Sequence, residues 1–126
     1  QPGFISDLGD GFMDSFGHPK SDKLYPFKTL LEEGILVGGA SDSPVTSHNP
    51  LIGLRDALLR KTPSGRVMGV EQRLNIEQAL RMYTTAAACL SFDEDIKGSI
   101  ELSKLADFTI LSENPILIQV SCSVTS

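Results

Sequence analysis

The sequence predicts an α/β fold, and three observations carry that expectation. Apolar residues Leu24, Phe27, Leu30 and Leu31 recur at the three- and four-residue steps of an amphipathic helix over residues 23–33. Gly34 follows as a natural helix stop. Ile35, Leu36 and Val37 then open a continuous apolar run through Gly38, Gly39 and Ala40, the pattern of a buried parallel strand. Helix, glycine and buried strand together make the αβ half of a βαβ unit.

The other elements follow in chain order. Residues 1–22 are rich in Gly, Asp, Ser and Pro, with Phe4, Ile5, Phe12, Met13 and Phe16 among them, and read as a loop with a short strand-like entry and an irregular helix. The buried strand ends by Asp42, because Pro44 cannot pair in a central strand. Asn49 and Pro50 open a second helix as N-cap and first helical residue. Leu51, Leu54, Ala57 and Leu58 give it an apolar face, and Arg60 and Lys61 suit its negative C-terminal end. Residues 62–74, with Pro63, Gly65 and Gly69, read as a polar loop. A third helix starts at Asn75 with Gln78 as capping-box partner, and Ile76, Leu80, Tyr83, Ala87 and Leu90 form its stripe as far as Phe92. Residues 98–102, 108–111 and 116–120 then read as short strands of a separate β element, with a boundary near residues 93–97.

Composition excludes several classes. A chain of 126 residues, 40% hydrophobic and 21% charged, is ordinary for one small globular domain. A net charge of −5, with scattered basic residues, offers no footprint for nucleic acid. No run of 18 apolar residues is present, so no membrane partner is expected, and no signal-peptide pattern opens the chain. Cys89, in an apolar helical stretch, reads as a buried inert thiol, and its distance from Cys122 argues against a disulfide framework. A cytoplasmic location is the expectation. The chain opens on Gln1 and closes directly after an apolar run, as expected of a piece of a longer sequence.

Asp42 is the residue best placed for chemistry. It stands at the C-terminal end of the predicted strand, the edge where active sites of α/β barrels and open sheets lie. A carboxylate there can ligate a metal, accept a proton from a bound water, or brace the turn. His48, six residues on, reads as a substrate contact or a solvated loop residue, and His18 as surface. These three residues do not compose a zinc set, which needs three or four close ligands. Gly38 and Gly39 lack the spacing of a phosphate loop, and Ser41 and Ser43 lack a nucleophile elbow.

Four stretches in order carry a family resemblance: YPFKTLL (25–31), GGASDSPVTSHNPLIGLRDALLRKTPSGRVMG (38–69), IEQALRMYTTAAACLSF (76–92) and GSIELSKLADFTIL (98–111). They resemble the amidohydrolase superfamily, and within it the YtcJ-like metal-dependent hydrolases (the amidohydrolase 3 group). The resemblance implies the C-terminal part of a (β/α)8 TIM barrel plus a few strands of the accompanying β-sandwich. Residues 1–95 would be the end of the barrel and 96–126 part of the sandwich. Within that, residues 1–5 would be the seventh barrel strand and 35–42 the eighth.

It further implies a fragment of an enzyme that hydrolyses amide-type, non-peptide C–N bonds with a metal-activated water. Asp42 matches the aspartate that binds the metal, zinc being the expected divalent ion, and takes the proton; Ser41, Ser43 and His48 would line the substrate site. The family's other ligands, histidines and a bridging residue, would lie before Gln1, so the isolated chain is expected to be inactive and to bind little or no metal. Exposed strand edges imply self-association or a rearranged packing. Ser103 stands where the family commonly has glycine, in the pattern Gly-Ser-x-x-x-Gly-Lys-x-Ala-Asp. Two other readings keep the same residues: a non-catalytic α/β interaction or regulatory module derived from this family, and a small-molecule-binding α/β domain unrelated to hydrolases, which requires the four matches to be chance.

Overall fold

In a computed structural model of the chain, which describes residues 1–116, both asparagine-led helices form. The Asn49 side chain accepts the Leu51 N–H at 3.0 Å and starts the helix Pro50–Leu59, labelled α3. Asn75 and Gln78 exchange the two bonds of a capping box at the head of Ile76–Tyr83, labelled α4. The remaining helices are α1 (Gly3–Phe16), α2 (Phe27–Glu32) and α5 (Thr85–Leu90), with 3₁₀ turns at Ser21–Lys23 and Val70–Gln72.

Four expectations change. Residues 1–5 are no strand: α1 runs from Gly3, and its buried residues Ile5, Gly9 and Met13 fall at four-residue steps on one face. Its glycines, which argued for a loop, allow close packing instead; a Cβ on Gly9 would lie 2.7 Å from a Thr62 methyl. The helix expected over 23–33 shortens to α2, because Pro26 disfavours a helical residue before it and Tyr25 takes φ +54°. The long third helix breaks at Thr84, where φ −127° and ψ −97° leave the helical region, separating α4 from α5. Its most buried residues are Ala79, Met82, Ala86 and Ala88, so the expected stripe of Ile76, Leu80, Tyr83 and Ala87 is only half-buried and Leu90 is exposed.

The strands are the fourth change. Among the described residues β pairing is limited to an isolated bridge between Lys61 and Val67. Residues 35–42, 98–102 and 108–111 have no ladder, since no second segment among the described residues lies alongside them. The expected strand 116–120 falls, from residue 117 on, outside the described residues, as does Cys122. Cys89 is half-buried in α5. Ser103 takes φ +74°, a conformation that favours glycine.

Ile5, Met13, Phe27, Leu54, Ala57, Met68, Leu74, Ala79 and Met82 form the core, drawn from α1–α4 and from the loop between α3 and α4. That loop was expected to be polar throughout. Its shape depends on Arg60, which ends α3 in the left-handed region and is 0% exposed. The guanidinium donates to the carbonyls of Met68 (2.6 Å), Leu24 (2.8 Å) and Tyr25 (3.0 Å) and lies 5.8 Å from the Phe27 ring centre. It therefore serves as an interior clamp and not as a solvated partner of the helix dipole. Burial pushes its pKa down to about 10, with Glu71 and Asp22 opposing, so it stays charged at neutral pH. Asp22 is held below the ordinary carboxylate value by the His18 ring nitrogen at 2.9 Å, then by the Gly69 N–H and the charges of His18 and Arg60.

Arg60→Met should lower the free energy of unfolding by about 3 kcal/mol or more, because three carbonyls lose a charged donor. Urea denaturation would measure it, and Arg60→Lys should recover only part, since an ammonium lacks the planar fork. Asp22, with its folded pKa depressed, stabilises above its unfolded value of 3.8 and loses that contribution as pH falls towards the folded value. Asp22→Asn should thus cost stability at pH 7, and the gap to the unaltered chain should narrow by pH 3; a gap independent of pH would exclude the ionised clamp.

Candidate active-site cleft

Three glycines and one tyrosine decide where Asp42 sits. The segment leading to it is tied to α4 by the Gly39 N–H, which donates to the Met82 carbonyl at 2.8 Å. A Cβ on Gly38 would come within 2.6 Å of Leu90, and one on Gly39 within 2.5 Å of the Tyr83 ring. From the other side, a Cβ on Gly53 of α3 would collide with the Tyr83 hydroxyl. The ring is wedged between the two backbones, which only hydrogen atoms at those positions permit.

Beyond Ala40 the chain turns. Asp42 adopts φ +56°, unusual for a non-glycine residue though aspartate tolerates it, and its carbonyl accepts the Val45 N–H at 2.8 Å. The Ser41 hydroxyl oxygen accepts the Ser43 N–H at 3.2 Å, and the Ser43–Pro44 peptide bond is cis. Buried Thr46 donates its hydroxyl to the Ser41 carbonyl. The same hydroxyl packs against α1, 3.1 Å from where a Cβ on Gly3 would stand.

A cleft of about 400 Å³ opens over this turn, lined by Ser41, Asp42, Thr46, His48, Ile52 and Tyr83. Two of its polar groups are committed: the Thr46 hydroxyl to Ser41, and the Asn49 side-chain oxygen to the helix start. The side chains of Asp42, His48 and Tyr83 have no hydrogen-bond partner among the described residues. One turn along α3 from Gly53, Asp56 is 1% exposed and accepts the Ser6 hydroxyl at 2.5 Å and the Arg55 Nε–H at 2.8 Å. Burial pushes the Asp56 carboxyl up, against the lowering pull of those two donors. Burial likewise raises Tyr83, reinforced by the Asp56 charge, so Tyr83 is a neutral phenol at physiological pH.

The structure therefore brings Ser41, Asp42 and His48 together, while Ser43 lies outside the lining. His18 is elsewhere, on Asp22. Tyr83 and Thr46 were not anticipated. Tyr83 sat in an apolar periodicity that reads as core, and the wedge depends on glycines 30 and more residues away. Among the described residues no group of three or more His, Cys, Asp or Glu side chains is arranged to hold a metal ion, and no helix is long and apolar enough to cross a membrane.

This arrangement superposes on solved metal-dependent hydrolases. An uncharacterized metal-dependent hydrolase from Pyrococcus horikoshii OT3 matches with a TM-score of 0.78 and 28% identity, over 94% of this chain and 24% of that one. The YtcJ protein of Bacillus subtilis (strain 168), which is named as an amidohydrolase, is 32% identical over 121 residues, 94% of this chain and 23% of that protein. The N-substituted formamide deformylase of Arthrobacter pascens is 33% identical over 94 residues, 75% of this chain and 17% of that protein. Residues 1–125 match the profile of the Amidohydrolase family, and the chain belongs to that family. It spans less than a quarter of the length of each of these relatives.

Gly53→Ala tests the wedge. In an ordinary helix the change gains about 1 kcal/mol of propensity. Here the collision should outweigh it, with a net loss of about 1 to 2 kcal/mol from overpacking and a shifted Tyr83 signal in near-ultraviolet circular dichroism. A stabilised variant with an unchanged spectrum would remove the wedge.

Proposed function

We propose that this chain supplies the Asp42-bearing part of the active site of a longer metal-dependent hydrolase acting on amide-type, non-peptide C–N bonds. The single observation that carries this reading is the Asp42 carboxylate, which lines the cleft with no hydrogen-bond partner among the described residues. Family membership and the metal-dependent hydrolases that share the fold support it. The formamide named in the Arthrobacter relative points to small amides as substrates.

Asp42 suits the part of one hard oxygen donor to a divalent ion, zinc in this reading. One carboxylate does not make a holding site, so the other donors would come from outside these 126 residues. A bound divalent ion brings the pKa of a coordinated water towards neutrality. Asp42 would then accept that proton at its carboxylate and pass it to the leaving nitrogen. Ser41 and His48 line the substrate's path, and Ser43 contributes through the N–H that orients Ser41. A second reading, a non-catalytic interaction module, draws on a run of exposed apolar side chains: Phe92, Ile100, Leu102 and Ile110. Such a surface calls for a covering partner.

In a full-length family protein carrying this stretch, Asp42→Asn should lower kcat by roughly a thousand-fold, within the range of general acid–base groups, with the thermal midpoint nearly unchanged. Turnover equal to that of the unaltered protein would sink the role given to Asp42. Equilibrium dialysis of the 126-residue chain against zinc should show far less than one tightly held ion per chain; stoichiometric tight binding would reveal a different donor set.

A further inference from the structure

We infer that Tyr83 is a ligand-binding residue of the cleft, its phenolic O–H donating a hydrogen bond to the carbonyl oxygen of a small amide. Tyr83 is half-buried and lines the cleft, its hydroxyl lying where Gly53 leaves room for it. The hydroxyl makes no hydrogen bond to protein among the described residues and is open to the cleft, so it is available to a ligand. Asp56, whose charge reaches the phenol, accepts from Ser6 and Arg55 and not from Tyr83. Thr46 and Asn49 are committed to the backbone around them.

The cleft thus offers a neutral phenol donor, a carboxylate acceptor in Asp42 and an imidazole in His48, among otherwise small or apolar neighbours such as Gly39, Pro50 and Ile52. An amide presents the complementary pair, a carbonyl acceptor and an N–H donor. The Tyr83 ring lies close against the backbone at Gly39 and its tip against the backbone at Gly53, so the hydroxyl is held in place before any ligand arrives. Burial and the Asp56 charge keep it protonated, as a donor must be.

The substrate class rests on the hydrolase reading, but binding can be tested without turnover. The probe is N-methylacetamide, titrated into the full chain and followed through the Gly39 amide and the Tyr83 ring signals by NMR. Saturable, weak binding is expected. Tyr83→Phe keeps the ring against Gly39 and should weaken binding about five-fold, the usual worth of one neutral hydrogen bond. N-methylthioacetamide, whose sulfur is a poor acceptor, should bind the unaltered chain several-fold more weakly than N-methylacetamide and lose nothing further in Tyr83→Phe. Tyr25→Phe, a ring packed against Phe4, Phe12 and Phe27, should leave both affinities unchanged. Equal affinity of the unaltered chain and Tyr83→Phe for N-methylacetamide, or no saturable binding at all, would overturn the inference. Binding that behaves as expected, alongside a full-length protein that hydrolyses no amide, would refute the hydrolase reading and leave Tyr83 as a binding residue.

Discussion

A buried guanidinium bonded to main-chain oxygens organises this chain. Arg60 reaches Leu24 and Tyr25 on one side and Met68 on the other, so two irregular connections close over the end of α3. Burying a cation is costly unless its donors are satisfied, and the bonds to carbonyls offset that cost without a neutralising contact. Asp22 and Glu71 lie close enough to favour the charge, and Asp22 also accepts the Gly69 N–H. The aromatic cluster of Phe4, Phe12, Tyr25 and Phe27 packs beside the connection so fixed. Removing the clamp would loosen the loop that delivers Met68 and Leu74 to the core.

The same frame places the cleft. Helix α3 carries Gly53 on the face towards Tyr83, and Asp56 one turn further on towards Ser6 of α1. Helix α4 brings Tyr83 against the segment that ends in Asp42 and binds that segment's backbone through Met82. Asp42 is thereby supported by packing beneath its backbone, while its carboxylate has no hydrogen-bond partner among the described residues. That division, a rigid support under an uncommitted polar group, is what a binding or catalytic position requires.

Much of this was legible in the sequence, and for local reasons. Asn49 with Pro50, and Asn75 with Gln78, mark helix starts because the caps act within three residues. Asp42, Ser41 and His48 are close in sequence, so their meeting in one cleft needed little long-range information. Four ordered stretches sufficed for the family. Helix α1 was hidden, since Gly3, Gly9 and Gly11 lower helix propensity and their packing value depends on Thr46 and Thr62. Arg60 gave no sign of burial, because a basic residue at a helix end has a sufficient local explanation. The strands expected at 35–42, 98–102 and 108–111 were read from apolar pattern, but a strand exists only with a neighbour to bond.

The tyrosine wedge has an evolutionary corollary. Gly39, Gly53 and Tyr83 occupy one shared volume, so substitutions at the three positions cannot be judged singly. A side chain at either glycine becomes acceptable only after the ring has shrunk, and a smaller residue at 83 leaves a void that a methyl at 39 or 53 would partly fill. The three sites form an epistatic set, with effects that combine far from additively. Homologous chains should therefore vary at these positions together or not at all.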